Sequence, residues 1–515
     1  MALPKDLAKR IAAARRDRSH HQTAINDFLR LADPVRPRIG DSASSTTRSD
    51  EADSLFDPVL QEVAEDFAAD TLHRAMPRDS DWVKYETTED VPDEVRVALA
   101  EPLARRTKSI FAAIRGSNFY SEAGAEWSMD LGHGTAALIC NDYGAGEPLC
   151  FEGIGPHQLL IERGAKGKLS FKGREFNLPL EEAFAQWEGA NWPAKLRREL
   201  SQDSTRRRVV ACIEGATRIY DPGDEKWRWQ VCVDGHVVDD RVLVGVGSCP
   251  IIVTRWRSVS TTAWGIGPLR KAIADAKSLD QVAYLRLKNL GKRVDPVTVY
   301  DDDGVLNPEG GIGPGDWIPR LPGSKIDQLD GGDIEVAYYE QGVLQDNVRR
   351  AGFQNGPDQK GKTPPTAFQW REEQMREGRR LELPTGKLYE EGVIAILQRV
   401  EYLLTERGEI EPIVQAGRRA VKFRPMNPLA KQQDAEKLQN ASNLLQMWRA
   451  VLDPQVIAAT VDTVATMENM KRSADDEMIV MRSPEQADEM MRGVLGQPGM
   501  GEGLETPPAG AGPAQ

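Results

Sequence analysis

The chain has 515 residues, of which 40% are hydrophobic and 28% charged, with a mean hydropathy of -0.48. That balance excludes an integral membrane protein and a wholly disordered one, and at roughly 150 residues per domain the length carries about three domains' worth of core. Asp and Glu number 79 against 66 Lys and Arg, a net charge of -13, the opposite of what a tight nucleic-acid binder carries, so any contact with DNA is expected to be local and weak.

The N-terminal stretch is basic, with nine Lys and Arg against four Asp and Glu between Met1 and Arg38. Spacing predicts a helix over residues 7–31, and a charge run of this kind ordinarily folds as a solvated helical arm. It has no apolar core or small-residue cleavage site of a secretory signal, so export is not expected. Residues 40–53, rich in Ser, Thr and Asp, read as a loop. Val59, Val63 and Phe67, with Leu60, Ala64 and Thr71, recur at helical spacing and predict a helix from Pro58 to about Ala75, stopped by Pro77. Further helices are expected over residues 94–114 and 123–131. Between Ala136 and Pro250, short apolar runs (AALIC, HQLLIE, RVVACI, WQVCV, RVLVGV, CPIIVTRW) alternate with Gly, Pro and Asp-Gly turns. This predicts a β-rich region, interrupted by a helix at residues 179–187.

From Gly267 the periodicity becomes helical again. Leu269, Ile273, Ala276, Ala283, Leu287 and Leu290 recur at three- and four-residue steps. At about 100° per residue, Arg270, Lys277, Lys288 and Lys292 fall within a narrow arc on another face. Residues 295–333 are rich in Gly, Pro and Asp and hold the strand candidates VTVY and DWIPRL. A helix is expected over 336–353, a glycine-rich loop over 354–365, and helical pieces over 366–380 and 387–407. The last quarter reads as helical, through Leu438, Ala441, Leu445, Trp448 and Leu452 and then Ile457, Val461 and Val464. From Gly496 the composition is of low complexity and predicts disorder.

Little in the chain has the pattern of an active site. Cys140, Cys150, Cys212, Cys232 and Cys249 form no CxxC pair, which predicts reduced thiols in a cytoplasmic setting. His20, His21, His73, His133, His157 and His236 are too dispersed for a metal cluster, and Asp301-Asp302-Asp303-Gly304 lacks the later ligands of a calcium loop and reads as a turn. Neither a cofactor nor a metal is expected. The segment from Gly356 to Thr363 satisfies the phosphate-loop pattern GxxxxGK[ST]. That chemistry needs a buried strand before the loop and a helix opening at the Lys-Thr step, so that backbone N–H groups cradle phosphates. Upstream the chain is polar and helix-like, and downstream Pro364 and Pro365 remove backbone donors. The alternative is a lysine-bearing loop between two helices.

The order of these elements resembles the portal, or head-to-tail connector, of short-tailed double-stranded DNA bacteriophages. The resemblance covers residues 7–494. SLFDPVLQEVAEDFAADTLHRAMPRDSDWVKYE is similar to the family's early helix, with a proline and then a tryptophan after it. LGHGTAALIC and FEGIGPHQLLIERGAKGKLSFKGREFNL are similar to its strand entry and β-module. AWGIGPLRKAIADAKSLDQVAYLRLKNLGKRVDPVTVYDDDG matches an aromatic-Gly-x-Gly-Pro entry into a long helix followed by a Pro-containing strand and an acidic turn. TPPTAFQWREEQMREGRRLELPTGKLYEEGVIAILQRVEYLLTERG is similar to the segment after the family's tunnel loop. Two departures stand out: Trp264 often aligns with Tyr, and Pro364-Pro365 occupy a stretch that often begins Thr-Ala-Thr.

The resemblance implies an α+β portal fold with an α/β wing, a two-helix stem, a small β-containing clip and a helical crown. On this chain it assigns an N-terminal wing to residues 1–266, stem helices to 267–293 and 337–353, and a clip to 294–336. A tunnel loop falls at 354–365, C-terminal wing helices at 366–424, a crown at 425–492 and a disordered tail at 493–515. It further implies a dodecameric ring at one capsid vertex of the virion, assembled in the host cytoplasm and free of membrane. Such a ring conducts double-stranded DNA during packaging and ejection, docks the terminase large subunit and then a tail adaptor protein, and meets the major capsid and scaffolding proteins. A mostly acidic passage with a few basic rings guides a duplex without retaining it, through phosphates and not base edges. Lys360 and Lys362, with Arg349 and Arg350 just before them, are the first candidates for such rings, and the arc of Arg270, Lys277, Lys288 and Lys292 is the second. A nucleotide hydrolase using residues 356–363, or another capsid or tail assembly protein, remains as the alternative.

Overall fold

The apolar positions of the first helix decide where it lies. In the computed structural model, α1 (Lys5–Ala32) buries Leu7, Ile11 and Ala14 along its first half and Ile25, Phe28 and Leu29 along its second. The first set closes a small core with Leu160, Phe171 and Cys232. Arg10 pairs with Glu162 at 2.7 Å, and Arg15 and Arg18 pair with Glu175 at 2.6 and 2.5 Å. The expected solvated arm is therefore corrected. Its arginines meet carboxylates of the β-rich region, and its apolar stripe has a sheet to lie on. The structure describes residues 4–41, 55–88, 91–142, 144, 146–221, 224–294, 298–301, 317–320, 334–354, 386–411, 421–426, 428–451, 466, 467 and 470. The loop expected at 40–53 falls mostly outside these, as do the helical piece expected at 366–380 and the tail.

Next come α2 (Val59–Ala75), β1 (Val83–Thr87), α3 (Asp93–Gly116), and a π-helical turn (Phe119–Ala123) running into α4 (Gly124–Leu131). Trp82, Phe119 and Trp127, all fully buried, gather these helices against β2 (Thr135–Asn141). That strand is buried along its length and is central in its sheet, paired antiparallel with β3 (Cys150–Gly153) on one side and β9 (Ile251–Arg255) on the other, with α4 packed on it. A larger sheet is a five-stranded antiparallel meander of β4 (Leu159–Arg163), β5 (Leu169–Pro179), β6 (Val209–Ile219), β7 (Lys226–Val233) and β8 (His236–Val244), in that order. The helix expected at 179–187 is α5 (Leu180–Gln186). Two short helices after it, α6 (Ala194–Leu200) and α7 (Asp203–Arg206), bury only Leu196 between them and left no apolar period to read.

Glycines set the start of the long helix. The Gly267 N–H donates to the His133 carbonyl at 3.0 Å, Leu269 N–H to the Gly132 carbonyl at 3.2 Å, and Trp256 N–H to the Gly134 carbonyl at 3.0 Å. The Gly265 N–H donates to the Thr135 hydroxyl at 2.8 Å. A Cβ at Gly267 would collide with the Gly132 carbonyl, and one at Gly134 with the Gly267 nitrogen. The two motifs LGHGT and WGIGP thus clasp each other backbone to backbone. Past the clasp a 3-10 turn (Leu269–Lys271) leads into α8 (Ile273–Val294). Two short parallel strands, β10 (Thr298–Asp301) and β11 (Trp317–Arg320), separate it from α9 (Ile334–Ala351).

The chain then returns to the main body. A π-helical turn (Tyr389–Val393) opens α10 (Ile394–Glu406), and β12 (Val421–Pro425) pairs antiparallel with β1, Val83 opposite Pro425. Buried charge holds it there. Arg255 on β9 is forked by the Glu391 carboxylate, Arg106 on α3 meets Glu401, and the Tyr85 hydroxyl donates to Glu401 at 2.7 Å. Arg399 has carbonyls as its bonded partners: its guanidinium donates to the Cys140 oxygen at 3.1–3.2 Å and to Ser248 at 2.9 Å. These elements form one unit, Met1–Pro425; the second unit, Met426–Gln515, is described mainly through α11 (Pro428–Val451), which exposes Leu444, Met447 and Trp448.

Candidate functional site

The pair α8 and α9 is where the sequence-predicted residues converge. Arg286 donates to the Gln341 side chain and stands 4.7 Å from the centre of the Tyr338 ring, while Asp275 on the first turn of α8 lies level with Asn347 and Arg350 on α9. Residue numbers rise along one helix as they fall along the other, so the pair is antiparallel. Asp57 braces it by accepting from Gln341 and Gln345, each at 3.0 Å, and the Phe56 N–H donates to Asp280 at 2.7 Å.

The apolar stripe of α8 divides into two halves. Ile273, Ala276, Leu279 and Ala283 are buried against the body. Leu287, Leu290 and Val294 continue the same face but are 46%, 49% and 78% exposed. On α9, Tyr338 and Tyr339 are likewise 58% and 75% exposed. A periodic stripe that runs past the edge of its own domain is an unpartnered surface.

The basic arc is only partly available. Lys277 is paired with Asp27 of α1 at 2.6 Å, which neutralises it within the chain. Arg270 sits half-exposed on the 3-10 turn, Lys288 is exposed, and Lys292 lies in the last turn of α8. Arg349 stands 3.9 Å from Asp346 on its own helix, and Arg350 is exposed at the mouth of a cavity between the two helices. Lys360, Lys362 and the whole phosphate-loop pattern from Gly356 to Thr363 lie outside the described residues, as do Leu452, Ile457, Val461 and Val464.

The ionisable groups buried elsewhere are held for structure. Arg36 binds Asp130 at 2.7 Å and Glu126 at 2.7 Å. Burial works against the Asp130 carboxylate, yet Arg36 and His133 together keep it below the usual range. Burial, with the charges of Arg36 and Arg18 beside it, drives His157 down to about 4, so it is neutral at pH 7. Burial pushes the Cys140 and Cys212 thiols up to about 12, leaving them protonated and poor nucleophiles. Among the described residues no group of His, Cys, Asp or Glu is placed to hold a metal ion, and no helix is long and apolar enough to cross a membrane. Sequence reasoning missed Arg255, Glu391 and Arg399: each partnership spans over a hundred residues, and no local pattern marks it.

Among the described residues the chain is a mixed helix-and-sheet body with an antiparallel helix pair, and much of its buried charge is paired internally. Residues 4–475 match the family model of the bacteriophage head to tail connecting protein, and the chain belongs to that family. It is accordingly a portal-class component of the virion, at the junction of head and tail. Among solved structures it is similar to a chain in the neck of an empty gene transfer agent particle, at 12% identity and a TM-score of 0.32 over 80% of this chain and 90% of that one. It is also similar to a chain in the virion of a native gene transfer agent particle, at 12% identity and a TM-score of 0.30 over 87% of this chain and 98% of that one. No curated protein matches it.

Proposed function

We propose that identical copies of this chain close side by side into a dodecameric ring whose axial hole conducts double-stranded DNA. In this reading α8 and α9 are the stem, residues 294–336 the clip, 354–365 the tunnel loop and 425–492 the crown. The exposed outer half of the α8 stripe carries the proposal. Leu287, Leu290 and Val294 hold the helical period that buries Ile273 and Leu279, but in a single chain they face water. Covering a half-exposed leucine gains on the order of 1 kcal/mol, and a closed ring repeats that gain at every interface.

Lys288 and Arg270, with Arg349 and Arg350 and the loop lysines Lys360 and Lys362, supply phosphate contacts spread thinly over an acidic protein. Such contacts guide a duplex and break easily as it advances. The terminase, the tail adaptor and the capsid and scaffolding proteins are the partners this role requires. The test is assembly: Leu287→Asp with Leu290→Asp is expected to leave the monomer's circular dichroism and unfolding unchanged while abolishing the ring in sedimentation. Rings that form undiminished from that variant would refute the stem assignment.

A further inference from the structure

At the foot of the α8/α9 pair lies a cavity of about 610 Å³, within the roughly 300–1,000 Å³ that small-molecule pockets occupy. Trp256 and Phe353 form part of its wall, and Arg257, Lys271 and Arg350 stand on it beside the Asn347 amide. Asp275 is the lone carboxylate among its lining residues. All three cations are exposed. A concentration of positive charge over apolar walls is unusual in a chain with a net charge of -13.

The frame of this cavity is fixed while its polar side chains are uncommitted. The Arg257 carbonyl accepts from the Ile266 N–H at 2.9 Å, and Lys271 closes the 3-10 turn that leaves the glycine clasp. The Phe67 ring, which does not itself line the cavity, packs 5.3 Å from Trp256 and 6.4 Å from Phe353 and braces the aromatic wall. Among the described residues the side chains of Arg257, Lys271 and Asn347 have neither an ion-pair nor a hydrogen-bond partner. By contrast, Arg18, Arg36, Arg106, Arg174 and Arg255 each hold a carboxylate. Arg350 makes a contact of its own within the chain, so Arg257 and Lys271 carry the argument. Asp66 on α2, which stands close by, accepts from Gln354 at 2.6 Å.

We propose that this cavity binds a free nucleotide, with its phosphates on Arg257 and Lys271 and its base against the wall of Trp256 and Phe353. A guanidinium and an ammonium at one mouth suit a phosphate group, which accepts charge-assisted hydrogen bonds from both. A phosphate alone leaves most of the volume and the apolar wall unused, whereas a base covers an aromatic wall and gains stacking. The Asn347 amide, with a donor and an acceptor, matches the edge of a base or a ribose. A DNA duplex is far too wide to enter, so the occupant is a small molecule and not the conducted genome. Binding alone is proposed, with no bond made or broken, and it holds for a single chain whether or not rings form.

Isothermal titration of the full-length protein with ADP tests it. ADP is expected to bind at a single site per chain, inorganic pyrophosphate to displace it, and adenosine to bind about tenfold or more weakly, because it lacks the phosphates. Lys271→Ala and Arg257→Ala, both at exposed positions, are each expected to weaken ADP by about tenfold while leaving the unfolding midpoint unchanged. The absence of heat at millimolar ADP would overturn the proposal, as would adenosine binding as tightly as ADP. ADP affinity unchanged in both variants would overturn it too, and if binding were then lost in Lys362→Ala, the phosphates would belong to the GxxxxGK[ST] pattern instead of the cavity.

Discussion

Gly134 and Gly267 show how much architecture can rest on an absent side chain. The backbones of LGHGT and WGIGP approach so closely that the His133 carbonyl accepts directly from the Gly267 N–H, and the launch direction of α8 follows from that contact. Gly134 also holds a φ of +122°, which L side chains rarely adopt. Gly144 has a similar φ of +113° with open space where its Cβ would stand, and so serves as the control. Gly134→Ala should cost about 2–4 kcal/mol, from overpacking added to backbone strain, and Gly144→Ala only the strain of about 1–2 kcal/mol. The midpoints of urea unfolding compare them; equal shifts would mean that the close approach is not what the glycine is for. The glycines were visible in the sequence as parts of two separate motifs, but their contact was not, because Thr135 and Gly265 are 130 positions apart in the chain.

Elements with a strong internal period were legible. The helices at α1, α2 and α3 fall within a few residues of expectation, since each carries an apolar stripe several turns long; α8 ends where expected but begins at Ile273, six residues past Gly267, because a 3-10 turn takes up the start. The strands β1 and β12 were not foreseen, because VKYET and VKFRP are short, half-exposed and paired only through a contact more than three hundred residues apart in the chain. Within the candidate site, the arc of Arg270, Lys277 and Lys288 was read from spacing, while the loss of Lys277 to Asp27 depended on where α1 lies. Charge pattern alone made α1 an arm; its apolar residues make it part of the core. Ile11 is 3% exposed, so Ile11→Asp should cost about 3 kcal/mol or more locally and free the first half of α1. Faster tryptic cleavage at Arg15 and Arg16, with the rest of the chain still resistant, is the expected readout, and an unchanged digest would return α1 to the status of a surface appendage.

For the whole molecule, the balance of 79 acidic against 66 basic residues and the exposed outer half of α8 point the same way. An acidic subunit repels DNA in general and admits it only past scattered cations, which suits a passage better than a binding site. An apolar stripe that outruns its own domain asks for neighbours of the same kind. The most direct measurement is electron microscopy of the purified full-length protein. The account predicts closed rings of identical subunits around an axial hole wide enough for a duplex; a population of separate chains, or discs closed at the centre, would contradict it.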